Sequence, residues 1–238
     1  MANFIVQDDV VQNDAGPIVA IMQPYFVPYA GYFSLFAAAD LLVIYDSVQF
    51  PREGYVHRNR LPDRNGALRW LKMPLEKAKL GTRIDELVFR TDAREHMIAQ
   101  FAAFPQLEHQ PSDTAGLVDA LLDTSRRPSE YIEELLRRAA AVMGLPWRIE
   151  RSSTMKLPEN LSAEDRVIAI AKAFGARTYV NTSGGRALYS SQRFEDAGLK
   201  LRFLPQYDGP SVSILSRLLD EPAERVAADI YRNARLLP

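Results

Sequence analysis

Four short stretches of this 238-residue chain gather side chains that do chemistry. The first, Gln23-Pro24-Tyr25-Phe26-Val27-Pro28-Tyr29-Ala30-Gly31-Tyr32, holds three tyrosines, two prolines and a glycine. Its prolines stiffen the backbone, and Gly31 permits close approach to it. The phenol rings offer flat apolar faces with a hydroxyl at the tip, suited to stacking on a base or a sugar. The second, Asp46-Ser47-Val48-Gln49-Phe50, places an acid where it can hold a ribose hydroxyl, a substrate amine or a metal, or simply form a turn. The third runs from Arg52 to Arg60 and contains Arg52, His57, Arg58, Asn59 and Arg60. Arginine forks match phosphate and carboxylate oxygens, and a histidine titrates near neutrality. The fourth is Asn181-Thr182-Ser183-Gly184-Gly185-Arg186, with Tyr189 close behind. A Gly184-Gly185 turn is either an anion cradle of backbone N–H groups or an ordinary tight turn.

Several chemistries are excluded. The chain has no cysteine, so it carries no disulfides, no thiolate metal site and no cysteine nucleophile. With three histidines and no dense ligand cluster, no metal site is expected. No Gly-Lys-Ser/Thr follows the glycine pair, and no G-x-G-x-x-G or G-x-S-x-G motif occurs. Basic and acidic residues number 29 and 30, so no overall field draws the protein to nucleic acid or to anionic lipid. A small-molecule partner, anionic or nucleotide-linked, fits the local arginines better. The oligomeric state is left open.

The elements that must position these residues alternate. IVAIM (18–22), bounded by prolines, is expected to be a strand buried on both faces. A helix is expected from Tyr32 to Ala39, then a second strand from Leu41 to Tyr45 with Asp46 at its end. Together they form a right-handed βαβ unit. PREGYVHRNRLP reads as a loop or short helix, LRWLKMPL as a strand, and IDELVFR as another. Helical spacing follows at 94–104 and 116–123. The clearest helix is 129–143, with Ser129 as its cap and Gly144 and Pro146 beyond its end. WRIERSS is a strand, Ser162 caps a helix ending before Gly175, and ARTYVNT is a strand. SSQRFEDAG, LKLRFLP, 213–219 and 223–236 complete a helix, a strand and two helices. The class is α/β with a mostly parallel, Rossmann-like sheet. Residues 1–16 read as a polar leader without secretory character, and 17–238 as a single α/β domain with a helical portion around 92–145. No apolar run reaches membrane-span length, so a cytoplasmic location is expected. His96 and His109 are assigned to a helix surface and a loop.

The run IMQPYFVPYAGYFSLFAAADLLVIYDSVQFPREGYVHRNRL resembles the opening signature of the WbqC-like family. YVNTSGGRALYSSQRFEDAGLKLRF and VSILSRLL are similar to that family's C-terminal blocks, so the likeness spans about residues 18–220. It implies a place in bacterial surface-polysaccharide or secondary-metabolite biosynthesis. The family pattern has Trp or Arg more often than His near position 57. More distantly, Tyr29-Ala30-Gly31-Tyr32 is similar to the H-x-G-H tetrad of nucleotidylyltransferases and pantothenate synthetases, with tyrosines in place of both histidines. VIYDSVQF and the serine-rich 211–217 are similar to segments of the same enzymes.

Three functions are consistent with these residues. The first is transfer of an acyl or aminoacyl group to the amine of an amino sugar, nucleotide-linked or free, or of a related small molecule, as in O-antigen synthesis. In it Asp46 or His57 accepts the amine proton, and Arg58 and Arg60 hold the donor. Gln23, Tyr25, Tyr29, Tyr32, Gln49, Arg52, Asn59, Asn181, Gly184, Gly185 and Tyr189 shape the pocket. General-base help of this kind typically supplies about 10²–10⁴-fold. The second is ATP-dependent carboxylate activation, with ATP as its cofactor; the cofactor is otherwise left open. The third is a non-catalytic sugar-binding subunit.

Overall fold

The computed structural model describes residues 16–107 and 114–236. The polar leader up to residue 15 and His109 lie outside the described residues. The first half begins with β1 (Ile18–Met22), α1 (Ala30–Ala38) and β2 (Leu41–Ile44). A hairpin follows, β3 (Arg58–Pro62) and β4 (Leu68–Lys72), then α2 (Ala93–Phe101), α3 (Ala115–Ala120) and α4 (Pro128–Val142). The second half comprises β5 (Ile149–Arg151), α5 (Ala163–Ala173), β6 (Thr178–Asn181), α6 (Ser191–Asp196), β7 (Lys200–Phe203), α7 (Ile214–Asp220) and α8 (Ala223–Arg232).

Five strands form one parallel sheet in the order β5-β2-β1-β6-β7. Ala20 lies opposite Leu42 on one side and Val180 on the other. Alternation along β1 sends Val19 and Ile21 into one core and Ala20 into the other. Helices α1, α4, α7 and α8 cover the first face, and α5 and α6 the second. Burial on both faces is why these strands read as unbroken apolar runs. This is a Rossmann-like α/β fold, as the alternating pattern predicts.

Local chemistry sets the helix ends. The Ser162 hydroxyl accepts the Asp165 N–H at 3.2 Å, capping α5. At α4 the expected cap at Ser129 is corrected. Pro128 occupies the first turn, where its missing N–H costs nothing, and Ser129 is buried inside the helix.

Two other expectations are corrected. IDELVFR is not a strand: Ile84–Glu86 forms a 3-10 turn, and Phe89 makes only an isolated bridge to Leu75. PREGYVHRNRLP ends not in a loop or helix but in β3. The hairpin turn is closed by the Asp63 carboxylate, which accepts the N–H groups of Asn65 at 2.8 Å and Ala67 at 3.0 Å. Gly66 there adopts φ of 77°.

The hairpin is tied to the loop after β1. Val27 has φ of 38°, a left-handed conformation costly for a β-branched residue. Its buried carbonyl accepts the Asn59 amide at 2.6 Å and the Ser213 hydroxyl at 2.6 Å. Pro28 accepts the Ile214 N–H at 2.6 Å in the same place. Either side-chain donor alone still satisfies the Val27 carbonyl. Asn59→Ala and Ser213→Ala should each cost about 1–2 kcal/mol in urea unfolding, and the double variant more than their sum, because it leaves a buried carbonyl unpaired. Strictly additive losses would show that the two donors do not share the work.

Candidate functional site

In a sheet of this order, the chain turns from one side to the other between β1 and β6. Ligands of open α/β sheets bind outside the strands' carboxyl ends at such a switch point. The loops leaving β1 and β6 meet there around a cleft of about 700 Å³. Tyr29, Thr182, Ser183, Gly184 and Arg186 line it, with Gln206, Tyr207, Gly209 and Ser211 from the loop after β7.

Each wall has a local cause. Tyr29 closes the loop after β1 and precedes the first turn of α1. Its ring meets Tyr207 edge-on at 5.6 Å. Gly31 is what lets Tyr207 in, since a Cβ there would lie 2.7 Å from Tyr207 Cγ and collide with the Tyr29 ring. The Tyr207 hydroxyl accepts from Arg217 at 2.9 Å. Burial raises the pKa of Tyr29, and that of Tyr207 against an opposing pull from Arg217. Both phenols therefore stay protonated at neutral pH as hydrogen-bond donors. Arg186 stacks over Phe203 at 5.0 Å and has no acidic partner among the described residues. The Asn181 side chain is buried beneath Gly185. It accepts the Thr182 N–H at 2.7 Å and donates to Tyr179 at 2.9 Å, so it shapes the turn from below.

A second cleft, of about 550 Å³, lies against the hairpin and is lined by Phe50, Arg52, His57, Lys72, Leu75 and Lys77 among others. It shares no lining residue with the first. His57 packs edge-on against Phe50 at 5.1 Å, and its Nδ1 is buried without a hydrogen-bond partner among the described residues. Burial, followed by the charges of Arg58 and Lys72, lowers its pKa to about 4.

The candidate residues thus divide. Tyr29 and Gly184 share the switch-point cleft; Arg52 and His57 share the hairpin cleft. Arg58 and Arg60 stack on Trp70 at 4.5 and 4.6 Å, beside Tyr55 and Tyr25. Asp46 is buried at the end of β2 and accepts from Ser152 Oγ at 3.1 Å, Ser153 N at 2.9 Å and Ser153 Oγ at 2.8 Å, fastening the turn after β5. Tyr32 is a core residue whose hydroxyl donates to the Gln23 carbonyl at 3.1 Å, and Asn59 serves Val27 rather than a cavity. Tyr189 meets Tyr179 and Phe194 in the core of the α5/α6 face. Gln49 is exposed. Residue type and spacing do not single out Tyr207 or Lys72, although Tyr207 follows a predicted strand as directly as Tyr29 does.

The profile of the WbqC-like protein family matches residues 23–212. The chain belongs to that family. It is 26% identical over 233 residues to an uncharacterized protein of Mycobacterium tuberculosis, covering 91% of this chain and 98% of that one. No solved structure matches. The matched segment of this WbqC-like chain contains every lining residue of both clefts. Among the described residues, no helix is long and apolar enough to cross a membrane.

Gly31→Ala should cost about 1–3 kcal/mol by urea unfolding, because Tyr29 and Tyr207 must both move. An unchanged midpoint would mean that the rings yield freely. His57 gives a pH signature. Its folded pKa lies below the unfolded value, so the fold favours the neutral ring. Stability is full above about pH 6.5 and falls as the pH drops toward 4. With solvent screening allowed for, His57 should account for about 1 kcal/mol of the loss between pH 7 and pH 5. His57→Asn should flatten that slope; an identical slope in the variant would contradict it.

Proposed function

We propose that this WbqC-like protein is a group-transfer enzyme acting on a nucleotide-linked small molecule, an amino sugar foremost, seated in the switch-point cleft. One observation carries the reading: the β5-β2-β1-β6-β7 order opens its crossover point where Tyr29, Tyr207 and Arg186 converge. A sugar or base ring meets aromatic edges and neutral phenol donors there, and a phosphate meets a guanidinium that has no acidic partner among the described residues. The cleft volume lies within the range of small-molecule sites.

The group transferred in this reading is an acyl or aminoacyl unit, delivered to the sugar's amine. The chain's lack of cysteine means that no protein thioester carries it. The amine nitrogen bonds to the acyl carbon as the acyl–donor bond breaks, the donor leaves with that electron pair, and the amine proton passes to the leaving group or to solvent. The acyl unit moves directly or is first held on a protein oxygen that leaves in the same way. Of the two expected bases, Asp46 is occupied by Ser152 and Ser153, and His57 stands in the other cleft as a neutral imidazole.

Calorimetric titration with nucleotide-linked amino sugars, the free nucleotides and ATP with magnesium tests the reading. Nucleotide sugars should bind, and Tyr29→Ala and Arg186→Gln should each weaken binding about tenfold, or ~1.4 kcal/mol. Binding of ATP alone, or of no nucleotide sugar, would overturn it.

A further inference from the structure

We infer that the hairpin cleft is a second small-molecule site, built for the phosphate end of a ligand that also carries an apolar arm. This goes beyond the switch-point reading and does not depend on it. Arg52, Lys72 and Lys77 reach its walls with no acidic partner among the described residues. Among the described residues, Glu76 is the one carboxylate in the lining. Arg90 and His96 also border the cleft, but both are held by Asp92, at 2.8 and 3.2 Å. The free cations therefore outnumber the acid three to one, which suits a phosphate rather than a neutral ligand. Lysines bind phosphate as point charges, and Arg52 adds a fork already oriented by its 2.9 Å bond to the Ala78 carbonyl.

The remaining wall has a different chemistry. Phe50, Leu75 and the buried Met73 form an apolar side next to the cations. His57 sits where the two meet. An imidazole nitrogen buried without a partner is costly in a finished core. In a binding wall, a small ring rotation or a bound polar group satisfies it. With about 550 Å³ available, a phosphate occupies only part of the space, and the apolar wall takes the rest of the ligand. β4 supplies Lys72 on the face that also carries Trp70, so the hairpin's register fixes the charge at the cleft mouth.

The test is titration of the full chain with inorganic pyrophosphate at low ionic strength, with the His57 ring resonances followed by NMR. Pyrophosphate should bind and shift the His57 signals. Arg52→Gln/Lys72→Gln should weaken that binding at least about tenfold. Both positions are exposed, so the double variant should keep its melting temperature. Arg186→Gln, in the other cleft, should leave the affinity read from the His57 signals within about twofold. Absence of pyrophosphate binding, or equal affinity in the Arg52/Lys72 variant, overturns the second site. If Arg186→Gln abolishes the His57 shifts and the Arg52/Lys72 variant does not, the second site falls and the switch-point reading stands. If pyrophosphate behaves as expected while nucleotide sugars fail to bind, the switch-point reading falls alone.

Discussion

The carbonyl of Val27 is the point on which the arrangement turns. It belongs to a residue at φ of 38°, which a β-branched side chain resists. Two buried donors reach it from distant parts of the chain, Asn59 in the hairpin and Ser213 at the cap of α7. A strained backbone persists only where its surroundings over-determine it. Here that strain joins the loop after β1 to the hairpin and to the C-terminal helices. The position of Tyr29, two residues on, follows. Asn59 and Ser213 are polar residues spent on geometry, in the way buried polar groups fix one arrangement among several of similar packing.

A buried cation completes the other wall. Arg217 is almost fully enclosed and pairs with Glu221 at 2.6 Å and Asp229 at 2.7 Å, which holds its pKa above the usual arginine value. Its remaining nitrogen donates to Tyr207. An apolar residue of similar volume could fill the space at little cost in stability, but it would not orient a phenol. Arg217 reads best as the residue that fixes where the Tyr207 ring stands, with Gly31 and Gly209 clearing space on either side.

How much of this was legible depends on where the information lies. The parallel sheet was legible because IVAIM and LLVI are buried on both faces and bounded by prolines or turn residues, a local signal. β3 was not, because RNRLP is polar and ends in proline; its strand character comes from pairing with β4. The Asn65-Gly66 pair was the available sign of a hairpin. The candidate site was legible as four loops but not in its division. Adjacent numbers from Arg52 to Arg60 suggest one basic cluster. Strand alternation sends Arg58 and Arg60 onto Trp70 and Asn59 inward to Val27. Arg52 and His57 stay behind in a cleft of their own. No spacing rule reveals that split without the pairing register.

A continuous series of rings runs from the switch-point cleft to the hairpin. Tyr207 contacts Tyr29 at 5.6 Å, Tyr29 contacts Tyr25 at 6.5 Å, Tyr25 contacts Tyr55 at 5.0 Å and Tyr55 contacts Trp70 at 5.8 Å. Arg58 and Arg60 close the far end over the indole. Tilted and edge-on rings in van der Waals contact do not slide independently, because each fills the angle left by the next. Tyr29 can therefore move only if Tyr25 or Tyr207 gives way, and Arg217 restrains the latter. Tyr29 in the wall of the switch-point cleft is in this sense backed by rings that reach the hairpin, whose own outer face takes Lys72 to the second cleft. A hairpin inserted between β2 and β5 thus lines one cavity and, through Trp70, Tyr55 and Tyr25, braces a ring at the edge of the other, without entering the parallel sheet.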